Sequence, residues 1–310
     1  MSFFDILDKV SIEYSHVVNN KNIAISKLSH IFKTTDNSLA YFDGGKLELN
    51  SYSNCTLIVK PEHSQTNKDI NYVICKEPKI VFYILAQNFA KTNNKKGIHS
   101  TAIIGNNCSI SPTSYVGPYT VIEDNVTIKE NCNIHGNTRI YSNSVIEKNV
   151  TIEANCAIGA TGVFWTWDKN GKMWQLPQLG GVLIKSNSFL GTDITIVRAA
   201  YIDSFTTIGE NCKIAHGSKL GHDCILENNV HFANNVTLGG GTTIKERCFV
   251  GSAATFRAGI TIEKDNVIGA GAVVTKSFNC KKSLIIGFPA KEKIIDKKLS
   301  GMNDPLHRIK

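Results

Sequence analysis

From residue 104 onward, an aliphatic or aromatic residue recurs every six positions. One run is Ile104, Ile110, Val116, Ile122, Ile128, Ile134, Ile140, Ile146, Ile152 and Ile158. A second is Ile184, Leu190, Ile196, Ile202, Ile208, Ile214, Leu220, Leu226, Phe232, Leu238, Ile244, Val250, Phe256, Ile262 and Ile268. Four places after each anchor stands a mostly small residue, such as Cys108, Ser114, Thr120, Cys132 or Thr138, with Gly, Asn, Asp and Glu between. A period of six is neither helical nor a two-residue alternation. It fits a parallel β-helix in which each hexad makes one short strand and one corner. Three hexads, 18 residues, then close one triangular coil, and coils stack at about 4.8 Å. The anchors point inward, and the small residue fills the corner. The predicted fold is therefore mainly β.

The period breaks across Gly159 to Leu183, a stretch that holds all three tryptophans. Asp168 to Gly171 reads as a hairpin turn. Two roles fit this excursion: an apolar plug on the core, or a lid reaching over a ligand or a neighbouring subunit. Residues 1–98 lack the hexad and read as a small α/β domain. Helices are predicted over Phe4–Val10 and Ile80–Ala90, and strands over Ser38–Phe42 and Thr56–Val59, with a turn at Asp43-Gly44-Gly45 between them. The coil is expected over 99–276, with the junction near Asn93–Lys96. In the tail, 277–310, a short helix is predicted over Lys291–Leu299, closing the open end.

Composition narrows the class. With 42% hydrophobic and 19% charged residues, the chain can bury a core. No run approaches 18 apolar residues, so no transmembrane helix is expected. The N-terminus MSFFDILDKV carries Asp5 and Asp8 and does not read as a secretory signal, which points to the cytoplasm. The net charge of +8 fits either a solvated lysine surface or a polyanionic partner: a nucleotide, coenzyme A or an acidic carrier protein. A basic helix or basic–aromatic cluster is lacking, so nucleic acid is not expected. None of the nine cysteines forms C-x-x-C, and six lie on the hexad lattice. They read as small buried apolar residues rather than metal ligands or disulfides.

The repeat places residues in space. Gly240, Ala258 and Lys276 follow His222 at intervals of 18 and should stack on one edge. Three coil spacings cover about 14 Å. That is room for an extended pantetheine arm, its thioester near His222 and its phosphates near Lys276 and Lys291. The same residues are also ordinary corner chemistry. His216 and His222, six apart, occupy successive corners and cannot share a metal within one chain.

These features carry a resemblance to the left-handed β-helix acyltransferases, in two branches. Leu39-Ala40-Tyr41-Phe42-Asp43-Gly44, Gly162-Val163-Phe164-Trp165 and Pro177-Gln178-Leu179-Gly180 are similar to the UDP-3-O-acylglucosamine N-acyltransferases of lipid A synthesis. That branch implies a uridine-binding N-terminal domain, with Tyr41 as the stacking aromatic; Trp165, Gln178 and His216 are expected as further substrate contacts. Leu220-Gly221-His222-Asp223-Cys224, His231, Gly269 to Lys276 and Gly287-Phe288-Pro289-Ala290-Lys291 resemble the acetyl-CoA-dependent N-acetyltransferases of nucleotide-linked amino sugars. That branch implies a catalytic His–acid pair and a second histidine, nine residues on, that contacts the donor. Two positions depart from these patterns. Gly259 stands where the lipid A enzymes have a histidine, and Ala215 where both branches place a polar orienting residue.

The chemistry implied is attack of a sugar amine on a thioester. A histidine suits the proton transfer, and the Gly240 N–H suits the tetrahedral oxyanion. The resemblance therefore assigns catalysis to His222, Asp223 and Gly240. Donor binding falls to His231, Gly240, Ala258, Lys276 and Lys291. The expected acceptor is a UDP- or dTDP-linked amino sugar for surface polysaccharide or glycolipid synthesis. The expected donor is acetyl-CoA or another acyl-CoA, with acyl carrier protein as the alternative, and no metal. One convex edge needs a second wall, so a homotrimer with interfacial sites is expected. Sugar O-acetylation and a non-catalytic nucleotide-sugar-binding β-helix are the other two readings.

Overall fold

The computed structural model describes residues 13–19, 23–45, 48, 51–63, 67–87, 89 and 95–294. The expected helix at 4–10 lies outside these residues. The chain divides into two compact units, 1–94 and 95–310.

In the first unit, five strands form one sheet in the spatial order Tyr14–Val17, Asn71–Cys75, Thr56–Val59, Ser38–Phe42, Lys27–Leu28. All neighbours are parallel except the Tyr14–Val17 edge. The strand residues alternate between two apolar clusters, as a period of two requires. Ala40, Phe42, Leu57, Val59 and Tyr72 pack on one face. Leu39, Ile58 and Val73 pack on the other, beneath Val81 and Leu85 of helix α1, Pro78–Ala86. Pro78 opens α1, where a missing N–H costs nothing.

The second unit is a three-sided parallel β-helix. Its faces are sheets of eleven, nine and eight strands. Pairing registers advance by 18, as in Val121↔Arg139 and Thr127↔Val145. From Val116 onward the anchors are buried, apart from Ile202. Three places after many anchors stands an asparagine in the left-handed region, with φ of 55° at Asn107, 59° at Asn125 and 63° at Asn143. Asparagine tolerates that conformation better than most residues. These three side chains also hydrogen-bond from coil to coil at 3.4 Å.

The small residue four places after the anchor does more than fill space. Its hydroxyl or thiol donates to a carbonyl of the next coil 15 residues on. Examples are Ser114 Oγ to Lys129 O (2.6 Å), Thr138 Oγ1 to Glu153 O (3.2 Å) and Cys212 Sγ to Glu227 O (3.2 Å). The lattice cysteines are therefore hydrogen-bond donors, and all but the half-buried Cys108 are buried as expected. Burial pushes the thiols of Cys156, Cys212 and Cys224 up to about 11 and that of Cys248 up to about 12. Cys212→Ser should retain the corner bond, while Cys212→Ala should lower stability by about 1–2 kcal/mol, read as a shifted urea midpoint.

The coil is interrupted twice. Residues 161–180 leave between the Ala157–Ala160 and Gly181–Ile184 strands and carry an antiparallel hairpin, Trp165–Trp167 with Met173–Gln175. A second excursion, 198–204, leaves between Thr195–Val197 and Phe205–Ile208. The hexad pattern places an inward anchor at Ile202, but this residue is 67% exposed. Six extra residues keep the phase, so the sequence period passes over the loop unbroken.

The tail also differs from expectation. Ser283–Gly287 pairs with Val267–Ile268, adding one more strand to a face, and Ala290–Ile294 returns antiparallel. Residues 291–294 are therefore strand rather than helix, and 295–299 lie outside the described residues. The open edge of the face offers unpaired backbone groups, and strand pairing satisfies them.

Candidate active site

In one coil the chain passes from Lys219–Leu220 on the nine-stranded face to Ile225–Leu226 on the eight-stranded face. His222 and Asp223 form the corner between them. Asp223 occupies the left-handed slot with φ 57°, a position aspartate tolerates. That conformation turns its carboxylate back on its neighbour. Asp223 Oδ2 lies 2.7 Å from His222 Nδ1. The carboxylate is itself fixed, because Oδ1 accepts the Ala200 N–H at 3.1 Å. The Asp223 N–H donates to Thr206 Oγ1 at 2.9 Å. The second excursion and the strand after it thus brace the acid.

The imidazole is held on its other sides. Registers Lys219↔Thr237↔Thr255↔Val273 keep positions 222, 240, 258 and 276 in one column. Gly240 lies directly against the ring, and a Cβ there would fall on His222 Nε2. The Gly240 N–H donates to no acceptor among the described residues, which leaves it available to a ligand. Phe164, from the ascending limb of the first excursion, stacks on the imidazole with centroids 5.1 Å apart and planes at 26°. The His222 side chain keeps 27% exposure. The arrangement can hold a fixed tautomer, with Nδ1–H on the carboxylate and Nε2 as the base.

Lys276, at the end of the same column, lines a cavity of about 410 Å³ together with Lys291, Phe278 and Glu292. Ala258 lies between this cavity and Gly240 in the column. Two cations in one recess suit phosphate groups.

Other predicted residues stand elsewhere. His231 is on a different face, in the strand His231–Phe232, packed edge-on to Phe249 at 5.1 Å. Burial and, after it, Lys213 hold its imidazole below the usual range, so it is neutral near pH 7. Nine residues are half a coil, so His222 and His231 of one chain lie on different sides of the prism. His216 occupies the preceding corner, where Nδ1 accepts the Thr192 N–H at 2.9 Å. It does not join His222. Among the described residues, no three His, Cys, Asp or Glu side chains gather as a metal-holding group.

Gln178 is buried, and its Oε1 accepts the Gly162 N–H at 2.6 Å, which clasps the two limbs of the excursion. Trp165 is 50% exposed on the hairpin, edge-on to Trp167. Tyr41, in the first unit, packs against Phe82 with centroids 5.0 Å apart. Three residues of the corner were not expected: Phe164, Ala200 and Thr206. Phe164 lies in the Gly162–Trp165 stretch, where spacing does not set it apart from the larger Trp165. Ala200 and Thr206 were hidden by the false anchor at Ile202.

Known proteins match both the repeat and the larger chain. The family model for the bacterial transferase hexapeptide (six repeats) matches residues 101–136 and 205–240, and that for the hexapeptide repeat of succinyl-transferase matches 241–276. The UDP-3-O-acylglucosamine N-acyltransferase of Campylobacter jejuni (strain RM1221) is 33% identical over 251 residues, covering 73% of this chain and 75% of that protein. The enzyme of that name from Coxiella burnetii (strain Dugway 5J108-111) is 35% identical over 182 residues, 51% of this chain. The match spans about half of the Coxiella protein, 53% of its length. The Francisella novicida UDP-N-acetylglucosamine acyltransferase structure superposes with a TM-score of 0.57 at 25% identity, covering 63% of this chain and 68% of that one. Two thirds or more of the Campylobacter protein is thus shared at this identity, and the chain belongs to the family of the UDP-3-O-acylglucosamine N-acyltransferases, left-handed β-helix proteins of hexapeptide repeats.

Proposed function

We propose that the chain transfers an acyl group from a phosphopantetheine thioester to the amino group of a UDP-linked amino sugar. The observation that carries this reading is the His222–Asp223 pair, 2.7 Å apart and seated against Gly240. His222 Nε2 takes the amine proton as nitrogen attacks the thioester carbon. Asp223 holds the Nδ1 proton and stabilises the imidazolium that forms. The Gly240 N–H donates to the oxyanion of the tetrahedral intermediate. Collapse expels the pantetheine thiolate, which recovers a proton from His222, and leaves an amide. Tyr41 is assigned to the nucleotide base. A neighbouring copy in a homotrimer supplies His231, since one chain cannot bring it to His222.

The names of the relatives favour a UDP-3-O-acylglucosamine acceptor. They support the lipid A branch over the acetyl-CoA branch, and the donor we assign with it is an acylated carrier protein. A specific observation supports the second reading: the recess shared by Lys276 and Lys291 at the end of the His222 column suits the phosphates of coenzyme A.

Thermal melting with each ligand alone separates the two. A ligand at 100 times its dissociation constant adds about 2.7 kcal/mol, visible as a raised melting point. Stabilisation by a UDP-amino sugar but not acetyl-CoA, with an amide product from acylated carrier protein, is the expected result. Stabilisation by acetyl-CoA with acetyl-amide formation would move the donor to the second reading. An ester product, or no thioester consumed with either donor, would overturn N-acyl transfer.

A further inference from the structure

We infer that Phe164 is a positioning residue for His222, and that the first excursion is built to seat it there. This rests on the reading of His222 as the base. The imidazole is constrained at its Nδ1 edge by Asp223 and on one ring face, over Nε2, by Gly240. Without a further contact, one ring face would still be open to water, and the ring could rock about its χ2 torsion, which has a broad well. Phe164 closes that face in a near-parallel stack at 5.1 Å.

The route from excursion to ring is short. Gln178 on the descending limb accepts the Gly162 N–H at 2.6 Å, two residues before Phe164 on the ascending limb. Gly162 is tightly enclosed there, because a Cβ would meet Val197 Cγ1 at 2.7 Å and Gln178 Oε1 at 3.0 Å. Arg198 ties down the start of the excursion through Gly159 O at 2.9 Å and Ser142 O at 3.0 Å. The descending limb is joined to the second excursion, whose Ala199 and Ala200 carbonyls accept the Gly180 and Leu179 N–H groups at 3.1 Å. Ala200 in turn donates to Asp223. Both excursions thus converge on one histidine, one through its ring face and the other through its carboxylate partner. The apolar stack also keeps water off the base while leaving Nε2 to the substrate side.

The first test needs no turnover. With selectively 13C-labelled histidine, and His222 assigned from the signal lost in His222→Gln, a stacked phenyl ring must move the His222 ring protons upfield. Phe164→Leu should abolish that displacement while leaving the melting temperature little changed. An undisplaced signal in the wild-type protein, or one unmoved by Phe164→Leu, overturns the inference.

The second test is kinetic. Phe164→Leu should lower kcat about tenfold with the sugar KM unchanged, because ring alignment rather than binding is lost. Phe164→Tyr, which keeps the flat ring, should restore kcat. Loss of affinity with kcat intact would make Phe164 a substrate contact instead. If His222→Gln itself keeps full turnover, the reading of the base fails, whatever the ring signals show.

Discussion

Replacing His222 by alanine is expected to lower turnover by about 10²–10⁴-fold, the range lost with a general base. The fold should be unaffected. The histidine side chain sits on a corner outside the aliphatic core, and its backbone carbonyl still accepts the Gly241 N–H at 2.7 Å. The measurement is kcat with a UDP-amino sugar and an acyl thioester, beside the melting temperature of the same sample. Near-normal turnover would remove His222 from the mechanism. A collapse of both quantities would instead mark the corner as structural.

Gly240→Ala should cost nearly as much activity, for a geometric reason. The added methyl falls on Nε2 of the imidazole, so the ring must swing away from Asp223 or the corner must shift. A misplacement of about 1 Å can cost about 100-fold. Stability should change little. Gly240 does not use the left-handed region, and its column faces outward. The double variant with His222→Ala should lose no more than His222→Ala alone, because the methyl then has no ring to displace. Additive losses would instead mean that the methyl also obstructs something other than the ring, namely the approach of the thioester to the Gly240 N–H.

The coil was legible in the sequence because one physical requirement, an inward aliphatic side chain per short strand, repeats without competition. The pair His222–Asp223 was legible too. Two residues at one corner have their geometry set by the repeat itself. What failed had competing explanations within the same pattern. Ile202 satisfied the six-residue phase yet lies on an exposed loop, since an insertion of one full period leaves no trace in periodicity. The Lys291 helix gave way to a strand because an unpaired sheet edge outweighs weak local preference over a few residues. Phe164 could not be found from spacing, because nothing in a loop's sequence says which of three successive side chains turns toward the histidine.

Cys132, Cys156, Cys212, Cys224 and Cys248 are all free and buried, spread along the helix from one end toward the other. A thiol held near 11 or 12 in the folded state reacts with an alkylating reagent only after its coil has opened and its pKa has fallen back. Each is therefore a natural clock for one coil. The order in which their masses shift under native conditions would show whether the prism frays from an end or opens first where the excursions interrupt it.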